Sequence, residues 1–167
     1  MIRKITLVAF VLCLTLSAFA QGAPTVVTGD ANLKKVLPDT YFFRGLSATT
    51  QLRNAGAVHY PDDFYVIAGL VDTSGYSSDI KAKYIGLFIT EKKLQFGTST
   101  LIPGEYGMGY TADNKFHIMN VAGDEVLVAD LPTDDNVKRP QPLKMTVDGA
   151  NVKLYLGKKY VSFTAAQ

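Results

Sequence analysis

The sequence contains no tryptophan, a single cysteine and only two histidines. The cysteine, Cys13, lies near the N-terminus, so the body of the chain from residue 21 onward has neither a disulfide staple nor a thiolate. That excludes cysteine nucleophiles and cysteine-ligated zinc there. His59 and His117 stand alone, without the paired spacing that would present two metal ligands on one face. Charge of one sign is also lacking. The 17 basic residues nearly balance the 15 acidic ones. A chain so balanced, with lysines no denser than the pairs Lys92-Lys93 and Lys158-Lys159, offers little attraction to nucleic acid or anionic membranes. Long amphipathic helical patterns are missing as well, which argues against parallel sheets with helical crossovers.

What is present begins with a secretory signature. Arg3 and Lys4 precede an apolar run from Ile5 to Leu16, and Ala18-Phe19-Ala20 supplies a small-x-small cleavage site before Gln21. The run is shorter than the roughly 20 residues needed to span a bilayer. Leu12 stands before Cys13 where a lipidation site wants a small residue. The expectation is an exported protein, periplasmic or extracellular, cleaved after Ala20, with no membrane span left. Loss of Arg3 and Lys4 then brings the basic residues level with the 15 acidic ones.

The rest divides into a leader, residues 21–38, and one β domain, residues 39–167. Ala23 to Gly29 reads as loose chain, and Asp30 as the cap of a short helical turn ended by Pro38. Beyond it, short runs of alternating or β-branched residues are punctuated by turns. Among the turns are Asn54-Ala55-Gly56, Pro61-Asp62-Asp63, Gly123-Asp124 and Asp148-Gly149. Asp72 to Asp79 is a polar loop. Phe64 to Val71 and Lys83 to Thr90 are apolar on both faces, as central strands are, with one side on the core and the other on a cavity or partner. In Glu105 to Tyr110, residues Tyr106, Met108 and Tyr110 share one face and Gly107 and Gly109 the other. In Lys115 to Val121, Phe116 and Ile118 oppose His117 and Met119. The pattern predicts an all-β domain, a single antiparallel sandwich or barrel of about ten strands, with at most one short N-terminal helical turn.

Catalytic constellations are hard to find. Gly75-Tyr76-Ser77-Ser78-Asp79 has the wrong glycine spacing for a nucleophile elbow, and no helical pattern follows. Most aspartates sit in turns that their own side chains close. Neither Asp72 to Asp79 nor Asp134-Asp135-Asn136 matches a calcium loop. Gly104, Gly107 and Gly109 lie in a strand, where glycine marks a bulge, a corner or a close approach. Tyrosine is the distinctive residue: there are nine, and most fall in strands, where a half-buried ring with a polar tip can line a pocket. Tyr84, Tyr106 and Tyr110 are therefore the candidate ligand contacts, with Asp72 and Tyr76 at a loop rim.

Leu37-Pro38-Asp39-Thr40-Tyr41-Phe42-Phe43-Arg44-Gly45, Leu70 to Ser77, and the L-x-P-G-x-Y of Leu101 to Tyr106 resemble a group of small exported bacterial β-rich proteins. Arg139-Pro140-Gln141-Pro142-Leu143 and Leu154-Tyr155-Leu156-Gly157 are similar to its C-terminal half. The resemblance implies a periplasmic or secreted setting and carries no residue roles. Three functions stay open on the sequence. The leading expectation is a non-catalytic binding domain, without cofactor or metal, for a small molecule or glycan. The second is an envelope component that self-associates through sheet edges into a homo-oligomer. The third is a hydrolase without a recognisable motif.

Overall fold

The computed structural model describes residues 22–166; the expected signal segment and cleavage site lie outside them. Thirteen strands form two antiparallel sheets. The larger sheet contains β1 (Thr25–Val26), β3 (Leu46–His59), β4 (Tyr65–Val71), β5 (Gly86–Thr90), β8 (Gly104–Tyr110), β9 (Lys115–Met119) and β10 (Glu125–Asp130), in that order, with β2 (Thr40–Phe43) paired to the first half of β3. The smaller sheet has the order β11 (Gln141–Asp148), β12 (Asn151–Gly157), β13 (Lys159–Ala165), β6 (Leu94–Phe96), β7 (Ser99–Leu101).

The two sheets pack as a sandwich rather than closing into a barrel. At one side they meet closely: a Cβ on Gly56 of β3 would lie 3.3 Å from the Met145 side chain of β11. At the other, β10 ends the larger sheet as an unpaired edge. There a groove of about 440 Å³ runs past Phe96, Asp130, Tyr160 and Ser162.

Alternation along the strands decides which residues enter the space between the sheets. Val66 and Ala68 of β4, Phe88 of β5, Tyr106 and Met108 of β8, and Phe116 and Ile118 of β9 all point into it. There they meet Leu143, Leu154, Val161 and Phe163 of the smaller sheet. Their neighbours in sequence, Ile67, Leu87 and Met119, point the opposite way into a second core. Apolar residues on both faces of β4 and β5 thus have a simple cause. The chain covers its own larger sheet with α1 (Asp30–Val36), the β2–β3 hairpin and the loop after β4.

Several details differ from the sequence reading. Among the described residues the helical content is two short pieces, because α2 (Ser78–Lys81) forms within the stretch expected to be polar loop. Gly29, not Asp30, is the N-cap of α1, and no side chain caps it. The Asn54-Ala55-Gly56 turn is instead a register shift inside one long strand: β3 continues through it, with the irregularity between Thr50 and Ala55. A bulge adds a residue without reversing the chain, so turn-forming residues there only bend the strand. Ala23 to Gly29 contains β1, which pairs Val26 with Val58.

Candidate functional site

The β2–β3 hairpin turns at Arg44 and Gly45, both at positive φ (53° and 84°). A two-residue hairpin turn of this kind follows the sheet's own twist, and Gly45 adopts it without strain. The tip is fastened across the sheet, since the Arg44 amide donates to Val121 O and its Nη1 to Ala122 O, each at 2.9 Å. Beneath the hairpin Phe43 lies on Gly107, where a Cβ would come within 2.4 Å of the ring. The glycine face of β8 is therefore the seat of an aromatic ring supplied by the chain itself.

Phe43 stacks on Tyr84 with centroids 4.0 Å apart, and Tyr76 meets Tyr84 edge-on at 5.1 Å. The Tyr76 hydroxyl lies 3.0 Å from both Phe43 O and Leu46 O and has one proton to share between them. The buried hydroxyls of Tyr41 and Tyr84 have no hydrogen-bond partner. Burial pushes all three phenols, Tyr41, Tyr76 and Tyr84, above the ordinary tyrosine range.

Beside this cluster opens a cleft of about 320 Å³. Phe43, Tyr84 and Met119 form its apolar floor, and Arg44, Lys83 and Asp79 its charged rim. The floor residues are all buried, whereas the rim side chains are exposed. None of the three rim residues takes part in an ion pair among the described residues. Two cations to one carboxylate leave the rim with an excess positive charge. No group of three histidine, cysteine or acidic residues suited to a metal ion occurs among the described residues.

The structure brings together two of the five residues singled out from the sequence. Tyr84 is part of the cleft floor, and Tyr76 packs behind it. Tyr106 projects from the opposite face of the sheet into the inter-sheet core, donating its hydroxyl to Ile102 O at 2.9 Å. Tyr110 stands 40% exposed at the end of β8, with the Lys159 ammonium 5.6 Å from its ring centroid. Asp72 closes its own turn by accepting the Ser74 amide at 2.9 Å, and that bond holds its carboxyl below the usual range.

Phe43, Arg44, Lys83 and Met119 escaped the sequence reading because hairpin docking, not local pattern, assembles them. The one available signal was Gly107, which marked a close approach without naming the ring that makes it. Compared with models of protein families, with curated proteins and with solved structures, the chain matches none.

Proposed function

We propose that this chain is a non-catalytic binding domain acting outside the cytoplasm, and that the outer cleft takes a small, flat or apolar molecule bearing one acidic group. The observation that carries this reading is the cleft's division of labour. Its floor is buried and aromatic, and its rim sets Arg44 and Lys83 against Asp79 alone. A volume of about 320 Å³ falls at the lower end of the roughly 300–1,000 Å³ that small-molecule sites occupy. Burial of Tyr76, Tyr84 and Tyr106 removes them as open stacking platforms and leaves Tyr110 as the exposed ring among the tyrosines singled out.

The test is a binding panel of aromatic and aliphatic carboxylates with their neutral amides, followed by thermal shift and calorimetry. Carboxylates should bind and amides should not. Lys83→Glu should weaken the best binder by about tenfold or more, since a charge-assisted hydrogen bond contributes roughly 1.5–3 kcal/mol. Equal binding of acid and amide would refute the acidic-ligand reading, and a panel without binders would refute the cleft.

The second reading, self-association, is favoured by a different observation. The free edge strand β10 exposes Val126 and Val128, and an open edge is a template for pairing. Sedimentation across a concentration series would show it as a concentration-dependent increase in mass.

A further inference from the structure

A polar chain crosses the open end of the larger sheet on the same outer face as the cleft, two residues along β9 from the floor residue Met119. His117 projects from β9 on the outer face and is 8% exposed. Its Nδ1 lies 2.5 Å from the Glu125 carboxylate, at the start of β10, and its Nε2 lies 2.9 Å from Thr111 Oγ1 in the β8–β9 turn. Thr111 Oγ1 in turn lies 2.5 Å from the Asp113 carboxylate.

The directions of these bonds follow from proton counting. An ionised carboxylate only accepts, and a threonine hydroxyl has one proton. With Asp113 accepting that proton, Thr111 can offer His117 only a lone pair, so Nε2 must donate. Glu125 likewise requires Nδ1 to donate. All three links are satisfied together only when the ring carries both protons. When it has one, Thr111 must choose between Nε2 and Asp113, or a bare Nδ1 must face a carboxylate. Hydroxyl, imidazole and carboxylate are connected as in an acyl-transfer triad. With the doubly protonated ring the Thr111 proton goes to Asp113, whereas a ring protonated only at Nδ1 can take it at Nε2, the arrangement general-base activation needs.

We infer that Glu125, His117, Thr111 and Asp113 form a proton-dependent clasp on the free edge strand β10. The placement gives the clasp its role. Glu125 ties the beginning of β10, while the β8–β9 turn ties its end by accepting the Leu131 amide at Asn114 O, 2.9 Å away. Both ties converge on the turn that holds Thr111 and Asp113. Other charges bear on the ring. Lys115 lies on β9 and pairs with Asp130 of β10 at 2.6 Å. Asp124 occupies the β9–β10 turn, where Asn120 holds it. The loop before β5 lays the backbone carbonyl of Lys83, not its ammonium, over Gly109, the residue opposite His117 in the sheet. The clasp is closed with the doubly protonated ring and loses one link when the ring is neutral, loosening the edge whose Val126 and Val128 are exposed. This inference does not depend on the cleft having a ligand.

The test is nitrogen-detected NMR of the His117 ring alongside amide exchange, followed across a pH series that spans both protonation states of the ring. The amides of Thr111, Asn114 and Leu131 should shift with the same midpoint as the ring. Exchange at Leu131, relative to its intrinsic rate, should accelerate by roughly tenfold as the ring loses its proton. Thr111→Val keeps the shape and removes the middle link. In that variant the ring still titrates while the turn and Leu131 cease to follow it. Turn amides that stay fixed while the ring titrates would overturn the inference, as would an unchanged coupling in Thr111→Val.

Discussion

The two faces of the larger sheet both bury large side chains, more of them between the sheets, and differ in kind. Between the sheets the packing is almost wholly apolar, with Phe88, Phe96 and Phe163 in mutual contact at centroid separations of 5.1 to 6.1 Å. Its two tyrosines are Tyr106, bonded to Ile102 O, and Tyr60, which lies beside Lys92 with its buried hydroxyl unpartnered. On the outer face Tyr41, Tyr76 and Tyr84 place three hydroxyls inside the core, two of them unpartnered. A buried polar group without a partner costs stability. Both cores thus carry that penalty, once at Tyr60 between the sheets and twice, at Tyr41 and Tyr84, on the face with the cleft.

Alkaline pH should break this comparison most forcefully. Burial raises the phenols of Tyr41, Tyr76 and Tyr84 above the ordinary value and pushes Tyr60 up to about 12. A group whose pKa is higher when folded stabilises the fold fully below its unfolded value, and that stability is lost as pH rises toward the folded one. Stability should therefore hold to about pH 10, the free phenol value, and fall steeply above it. Ultraviolet titration should show the buried tyrosines ionising together with loss of far-ultraviolet circular dichroism. Smooth, independent ionisation of all nine would mean that the outer core is wet.

Truncation in the apolar core comes next. Phe163→Ala should cost about 3–5 kcal/mol in denaturant unfolding, as deleting a fully buried phenylalanine does. Gly107→Ala addresses the outer core instead. The added methyl meets the Phe43 ring and should cost about 1–3 kcal/mol as overpacking, with a change in the near-ultraviolet tyrosine signal. If both substitutions gave the same loss and left that signal alone, the two cores would not be distinct.

The finest distinction lies within the tyrosine cluster. Tyr76→Phe removes a hydroxyl bonded to Phe43 O and Leu46 O and should cost about 1 kcal/mol. Tyr84→Phe removes an unpartnered hydroxyl and should leave stability unchanged or raised. Equal losses in denaturant melts would show that the Tyr84 hydroxyl has a partner after all.

Local pattern was enough for the strands whose faces alternate. Glu105 to Tyr110 and Lys115 to Met119 declared which residues point inward, because a period of two is a property of the strand itself. Gly123-Asp124 and Asp148-Gly149 also fall at hairpin turns, with Gly123 and Gly149 at positive φ. Two apolar faces on β4 and β5 announced a second covering layer, but nothing local said that the chain would supply it. Tyr76 illustrates why. It sits in a run of serine and glycine, and its partners Phe43 and Leu46 are 33 and 30 residues away. The His117 clasp was closer to legible, since Thr111 and Glu125 flank it by 6 and 8 residues. Recognising it required knowing that the flanking strands pair as hairpins in that register.

The central claim is that function resides at the outer cleft rather than in the groove between the sheet edges. Amide chemical-shift mapping of the protein with its best-binding aromatic carboxylate tests this most directly. The account predicts perturbations grouped at Arg44, Lys83, Tyr84, Met119 and Gly123. Perturbations grouped instead at Phe96, Asp130, Tyr160 and Ser162, or spread without a focus, would contradict it.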